Sequence, residues 1–101
     1  MKKYAIEVVN VDEELAEKAV RLSVTALSTI CPQIKTKSLR VEPHDDTRGV
    51  YCGLEVDDTE HQSPVFIRLI LDSLKSVVSL GVFPAKPQIY VHTAGDKYIH
   101  E

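Results

Sequence analysis

Ser38-Leu39-Arg40-Val41-Glu42-Pro43 and Val50-Tyr51-Cys52-Gly53-Leu54-Glu55-Val56, joined by His44-Asp45-Asp46-Thr47-Arg48-Gly49, decide the fold. In the first run Leu39 and Val41 alternate with Arg40 and Glu42. In the second, Val50, Cys52, Leu54 and Val56 alternate with Tyr51, Gly53 and Glu55. A period of two marks a strand with one face in a core and the other outside it. The intervening segment is polar and ends in glycine, as a turn requires. The centre of the sequence therefore reads as a β-hairpin.

Helical spacing appears on both sides of this hairpin. Before it, Leu15, Ala19, Leu22, Ala26 and Ile30 recur at steps of three and four, widened by Ala16, Val20, Ser23 and Leu27. Glu17, Lys18, Arg21, Thr25 and Ser28 occupy the opposite side, so this is an amphipathic helix. Two starts are open: Asn10 with Glu13 as a capping box, or Asp12 as a lone N-cap. Acidic residues Asp12 to Glu14 suit the positive end of the helix dipole. Pro32 stops the helix near Ile30.

After the hairpin comes a polar loop, Asp57 to Gln62. Ser63 as N-cap and Pro64 at the first helical position open a second helix. It reaches about Leu80, with Gly81 as terminator. Its apolar stripe is Phe66, Ile67, Ile70, Leu71, Leu74, Val77 and Val78, with Val65, Leu69 and Leu80 along one flank. Tyr4 to Val9 and Gln88 to Thr93 read as the first and last strands of the element order, joined to the rest by the polar cap region and by a proline-punctuated connector, Val82 to Pro87. Ala94-Gly95-Asp96 turns the chain, and Lys97 to His100 has room for a short fifth strand.

The order is β-α-β-β-α-β. Short connections and right-handed crossovers then favour an α+β, ferredoxin-like two-layer sandwich: an antiparallel sheet in spatial order 4-1-3-2 with two helices on one face. At 101 residues the chain is read as a single domain, 1–101. It is long enough to bury a core without a metal or disulfide staple.

Composition narrows the function. The formal net charge is −3, and the densest basic stretch, Lys35 to Arg40, is short, which weighs against binding nucleic-acid backbones. RNA-recognition modules share the strand order, and Arg48-Gly49-Val50-Tyr51-Cys52-Gly53-Leu54 resembles the Arg-Gly opening of their third-strand motif. The stacking positions of that motif fall on Val50 and Cys52, which are not aromatic, so the resemblance implies no base-stacking platform here. Small tautomerases built on related units use a proline after the initiator Met, where this chain has Lys2. No apolar stretch is long enough to span a membrane, and no secretory leader is expected. A cytoplasmic setting with reduced thiols is expected for Cys31 and Cys52, whose spacing matches neither a disulfide framework nor a zinc site.

No cofactor, metal or catalytic motif is expected. Cys31 follows a helix C-terminus, where the dipole does not favour a thiolate, and Cys52 alternates with core positions. Topology gathers Asp12, Glu13, His44, Asp45 and Asp46 at one end of the domain. It gathers Cys31, Asp57, Asp58, Glu60, His61 and His92 at the other, so these are read as two separate clusters. The sheet face without helices should carry Arg40, Glu42, Tyr51, Glu55, Tyr90 and His92. Tyrosines among mixed charges suit a contact surface. The leading expectation is a non-enzymatic protein-binding or regulatory module that self-associates as a homodimer, through Tyr51, Glu55, Tyr90 and His92 on the sheet or through the Leu69 flank. The rival is a small-ligand or enzymatic domain using Asp57 to His61.

Overall fold

The central hairpin forms as its alternation requires. In the computed structural model, which describes residues 2–57, 62–79 and 87–93, β2 (Lys35–Pro43) pairs antiparallel with β3 (Gly49–Asp57). Leu39 faces Leu54 and Val41 faces Cys52 across the ladder. A register shift between Thr36 and Ser38 puts a bulge near the start of β2. The His44 N–H donates to the Gly49 carbonyl at 3.0 Å and closes the turn. Glycine is required there: φ is +129°, and a Cβ would lie 2.1 Å from the Val8 carbonyl oxygen.

β1 (Lys2–Val9) pairs with the other edge of β3, and β4 (Gln88–Thr93) pairs with the far edge of β1. All three ladders are antiparallel, and the order is β2-β3-β1-β4. This is the ferredoxin-like order expected from the element sequence. β1 and β3 are central, so their core-facing residues lose nearly all contact with solvent. Tyr4, Ile6, Val8, Val50, Cys52, Leu54 and Val56 are each 2% exposed or less.

α1 (Glu13–Ile30) starts at Asp12, not at Asn10. The Asp12 carboxylate accepts from the Glu14 N–H at 3.1 Å. Asn10 has φ 68°, and its N–H donates to the Arg48 carbonyl, so it turns the chain out of β1. Asparagine tolerates that left-handed conformation better than most residues. The buried face of α1 is Ala16, Ala19, Val20, Ser23, Val24 and Leu27. It is rotated from the expected stripe: Leu22 is 54% exposed and Ile30 75%. Small residues explain the rotation, because Ala16, Ala19 and Ser23 allow a neighbouring helix to approach closely where larger side chains would hold it off.

That neighbour is α2 (Ser63–Val78), with Phe66, Ile70 and Leu74 fully buried. The Ser73 hydroxyl donates to the Ser23 carbonyl at 3.0 Å, joining the helices. The Ser23 hydroxyl donates back to the Ala19 carbonyl at 2.7 Å, so this buried polar group is satisfied. Phe66 stacks on Tyr4 with ring centroids 4.4 Å apart, fixing α2 to β1. The N-cap of α2 is Gln62 rather than Ser63, with no side-chain cap bond, and Pro64 sits in the first turn. Proline is tolerated there because its missing N–H has no helical partner anyway. The expected ending at Leu80 and Gly81, and the fifth strand at Lys97 to His100, lie outside the described residues. Among the described residues no helix is long and apolar enough to cross a membrane.

Candidate functional site on the open sheet face

Antiparallel register sorts the uncovered face of the sheet into rows. Glu42, Tyr51, Glu7 and Tyr90 lie side by side across β2, β3, β1 and β4. The next row is Arg40, Gly53, Ala5 and His92, and the one beyond is Ser38, Glu55 and Lys3. Tyr51, Glu55, Tyr90 and His92 thus share one face. Leu69 belongs to the helix layer, where it is half-buried and packs against the core.

Glu7 is the hub of the upper row. His44 Nε2 lies 2.8 Å from one of its carboxylate oxygens, and His92 Nε2 lies 3.2 Å from the other. The Asp46 N–H donates to His44 Nδ1 at 3.2 Å. With Nδ1 accepting, the proton of neutral His44 sits on Nε2 and is donated to Glu7. A carboxylate on a central strand is therefore held at once from the hairpin turn and from β4. Burial alone raises the Glu7 pKa. The hydrogen bonds from His44 and His92 outweigh burial and hold the carboxyl below the ordinary 4.5. Burial first, and then the Glu7 carboxylate, push the neighbouring Tyr51 phenol up.

This arrangement overturns one expectation. Element order alone sets His92 with Cys31 and Asp57, at the end opposite His44. The register sets His92 beside Ala5 in mid-sheet, and each imidazole reaches Glu7 from a different side. Glu7 itself is not marked by any sequence motif. The available signal is its position: an acid in the middle of an apolar, central strand.

The clasp is not poised as a metal site. A histidine that ligates through Nε2 usually donates its Nδ1–H to an acceptor, whereas Nδ1 of His44 is already an acceptor. Among the described residues no group of three or more His, Cys, Asp or Glu side chains is arranged to hold a metal ion.

Next to the clasp the sheet has a notch. Ala5 faces Gly53 across the two central strands, so the middle of the face carries one methyl group and one hydrogen. Lys3, Arg40, Tyr51 and Glu55 rise around it and enclose a groove of about 330 Å³. A Cβ at Gly53 would lie 3.6 Å from the Arg40 guanidinium, an ordinary contact. Arg40 pairs with Glu42 at 3.7 Å and Lys3 with Glu55 at 3.6 Å. The Ser38 hydroxyl donates to Glu55 at 3.3 Å.

The other candidates are separate. Asp12, Glu13, Asp45 and Asp46 are exposed. Cys31, half-buried, caps the C-terminus of α1. Burial pushes the Cys52 thiol up to about 12, so it stays protonated and packs as an apolar group. Asp57 is exposed at the end of β3, opposite Lys35; Asp58, Glu60 and His61 lie outside the described residues.

No family model and no curated protein matches the chain. The fold does match a solved structure. The chain is similar to the C-terminal domain of the MgtC protein from Mycobacterium tuberculosis, determined in solution. The TM-score is 0.51, with 17% identity over 92% of this chain and 87% of that one. At that identity the likeness establishes the α+β, ferredoxin-like fold and nothing finer.

Proposed function

We propose that this domain is a non-enzymatic binding module that works through its open sheet face and takes a protein as partner. The notch at Ala5 and Gly53 carries the reading. Two adjacent central positions lack bulk, while an aromatic ring and both signs of charge surround them. Ala5 itself is covered by its neighbours, 1% exposed, so a partner meets Gly53 and the rim of Lys3, Arg40, Tyr51 and Glu55, whose charges orient it. The neighbouring groups support contact over chemistry. Glu7 is held ionised by two imidazoles, which suits a rigid support more than a proton donor at neutral pH. The Cys52 thiol is buried and protonated.

The test is affinity capture with three baits: wild type, Gly53→Arg and Lys18→Glu. Gly53→Arg fills the notch. Lys18→Glu changes an exposed residue of α1, on the other layer. The reading expects proteins retained by wild type and Lys18→Glu to be lost with Gly53→Arg, while the melting curve shows the variant folded. Retention of the same proteins by all three baits overturns it.

A further inference from the structure

We propose that the open sheet face is self-complementary and pairs with the same face of a second copy, about a two-fold axis parallel to the strands. The proposal rests on the reading of that face as the binding surface.

The register supplies the argument. A two-fold axis along the strands, lying between two facing sheets and above the β1–β3 boundary, keeps each row opposite itself and exchanges left with right. Lys3 then faces Glu55 of the second copy, and Glu55 faces its Lys3. Tyr51 faces Glu7, so a phenol donor meets a carboxylate. Gly53 faces Ala5, so no bulky side chain stands at the axis. Arg40 falls against His92, whose Nε2 is already committed to Glu7 of its own chain. The alternative two-fold, across the strands and through the Gly53–Ala5 row, puts Arg40 on Arg40. Like charges face each other in that arrangement, which is costly at an interface.

Size sets the expected strength. Strands about 4.8 Å apart, rising about 3.3 Å per residue, give the face a footprint of roughly 20 by 20 Å. That belongs to the small, transient class of interface. Association is therefore expected on the order of 100 μM rather than nanomolar.

A charge-swap mixture tests the geometry. Lys3→Glu alone sets acid against acid at both ends of the pair, and Glu55→Lys alone sets base against base. Each variant should be monomeric in sedimentation velocity from roughly 1 to 500 μM, a range that brackets the expected affinity. Mixed together, the two variants match at both ends, and a heterodimer should return. Within either chain the Lys3–Glu55 pair remains broken, so only contact between copies explains the rescue. As a second measurement, amide resonances of Lys3, Gly53 and Glu55 in wild type should shift on dilution while those of α1 stay fixed.

A monomeric wild type across that range overturns the proposal. So does a mixture that stays monomeric, or association lost through Leu22→Asp or Val65→Asp on the helix layer but not through the sheet variants. These results leave the binding-module reading standing if Gly53→Arg still loses captured proteins. Capture that ignores Gly53→Arg sinks that reading independently.

Discussion

Glu7 shows how one side chain can tie two edges of a sheet together. It accepts from His44 on the hairpin turn and from His92 on β4. Replacing it by glutamine puts an N–H₂ where one imidazole donates, so one bond is lost. The expected cost near pH 7 is about 1–2 kcal/mol, because each bond is charge-assisted but partly solvated. The carboxyl pKa is lowered in the fold from the ordinary 4.5. Its contribution is therefore fully present above the unfolded value and is lost as pH falls through the lowered one. Urea unfolding should show Glu7→Gln less stable than wild type near pH 7, with the gap closing as pH falls below the ordinary 4.5 and through the lowered value; a gap that persists undiminished in strong acid would contradict the clasp. Cys52 makes the opposite case. Its thiol is pushed up to about 12, so iodoacetamide on the native protein should modify Cys31 and spare Cys52 until denaturant is added, as peptide mass mapping would show. The alternation already marked Cys52 as a core residue. It could not mark the clasp, because Glu7, His44 and His92 are far apart in sequence and meet only through register.

At the scale of elements, the strands were the most legible part. Alternation in β3 assigned Val50, Cys52, Leu54 and Val56 to the core, and all four are buried. Helix faces were less legible. Spacing alone gave α1 a stripe containing Leu22 and Ile30, yet both are exposed. A wide apolar face permits several rotations. The face that is buried carries the small residues Ala16, Ala19 and Ser23, and at Ser23 the α2 residue Ser73 bonds to the backbone of α1. Caps behaved similarly: Asp12 and Asn10 both fit the helix start, and only the observed bond from Glu14 separates them. Asp12→Ala should cost about 1 kcal/mol in chemical denaturation. Gly49→Ala should cost more, about 1–3 kcal/mol, because its φ of +129° disfavours a side chain and the Cβ would meet the Val8 carbonyl. If the two substitutions cost the same, the turn is relaxing in a way that the close approach of β1 and β3 does not allow.

For the whole molecule, the strand order followed from the element order, because right-handed crossovers leave few ways to place two helices on one side of four strands. What the open face presents did not follow so directly, since it depends on which residues share a row. The sheet also has, among the described residues, two edges, β2 and β4. Such edges offer unpaired backbone groups to other chains. The β2 edge is blunted near its start by exposed Lys35 and Lys37 and by the shift between Thr36 and Ser38. Contact between copies through the sheet face therefore differs from contact through an edge in a measurable way. Amide exchange should be slowest in β1 and β3, whose ladders are bonded on both sides. Raising the protein concentration should leave the outward-facing amides of β2 exchanging at the same rate if copies meet face to face. Pairing through the edge would protect those same amides, because each would gain a backbone acceptor from the second chain. Exchange measured by NMR at two concentrations separates the outcomes, and slowing confined to the outer amides of β2 would rule out the face-to-face pair.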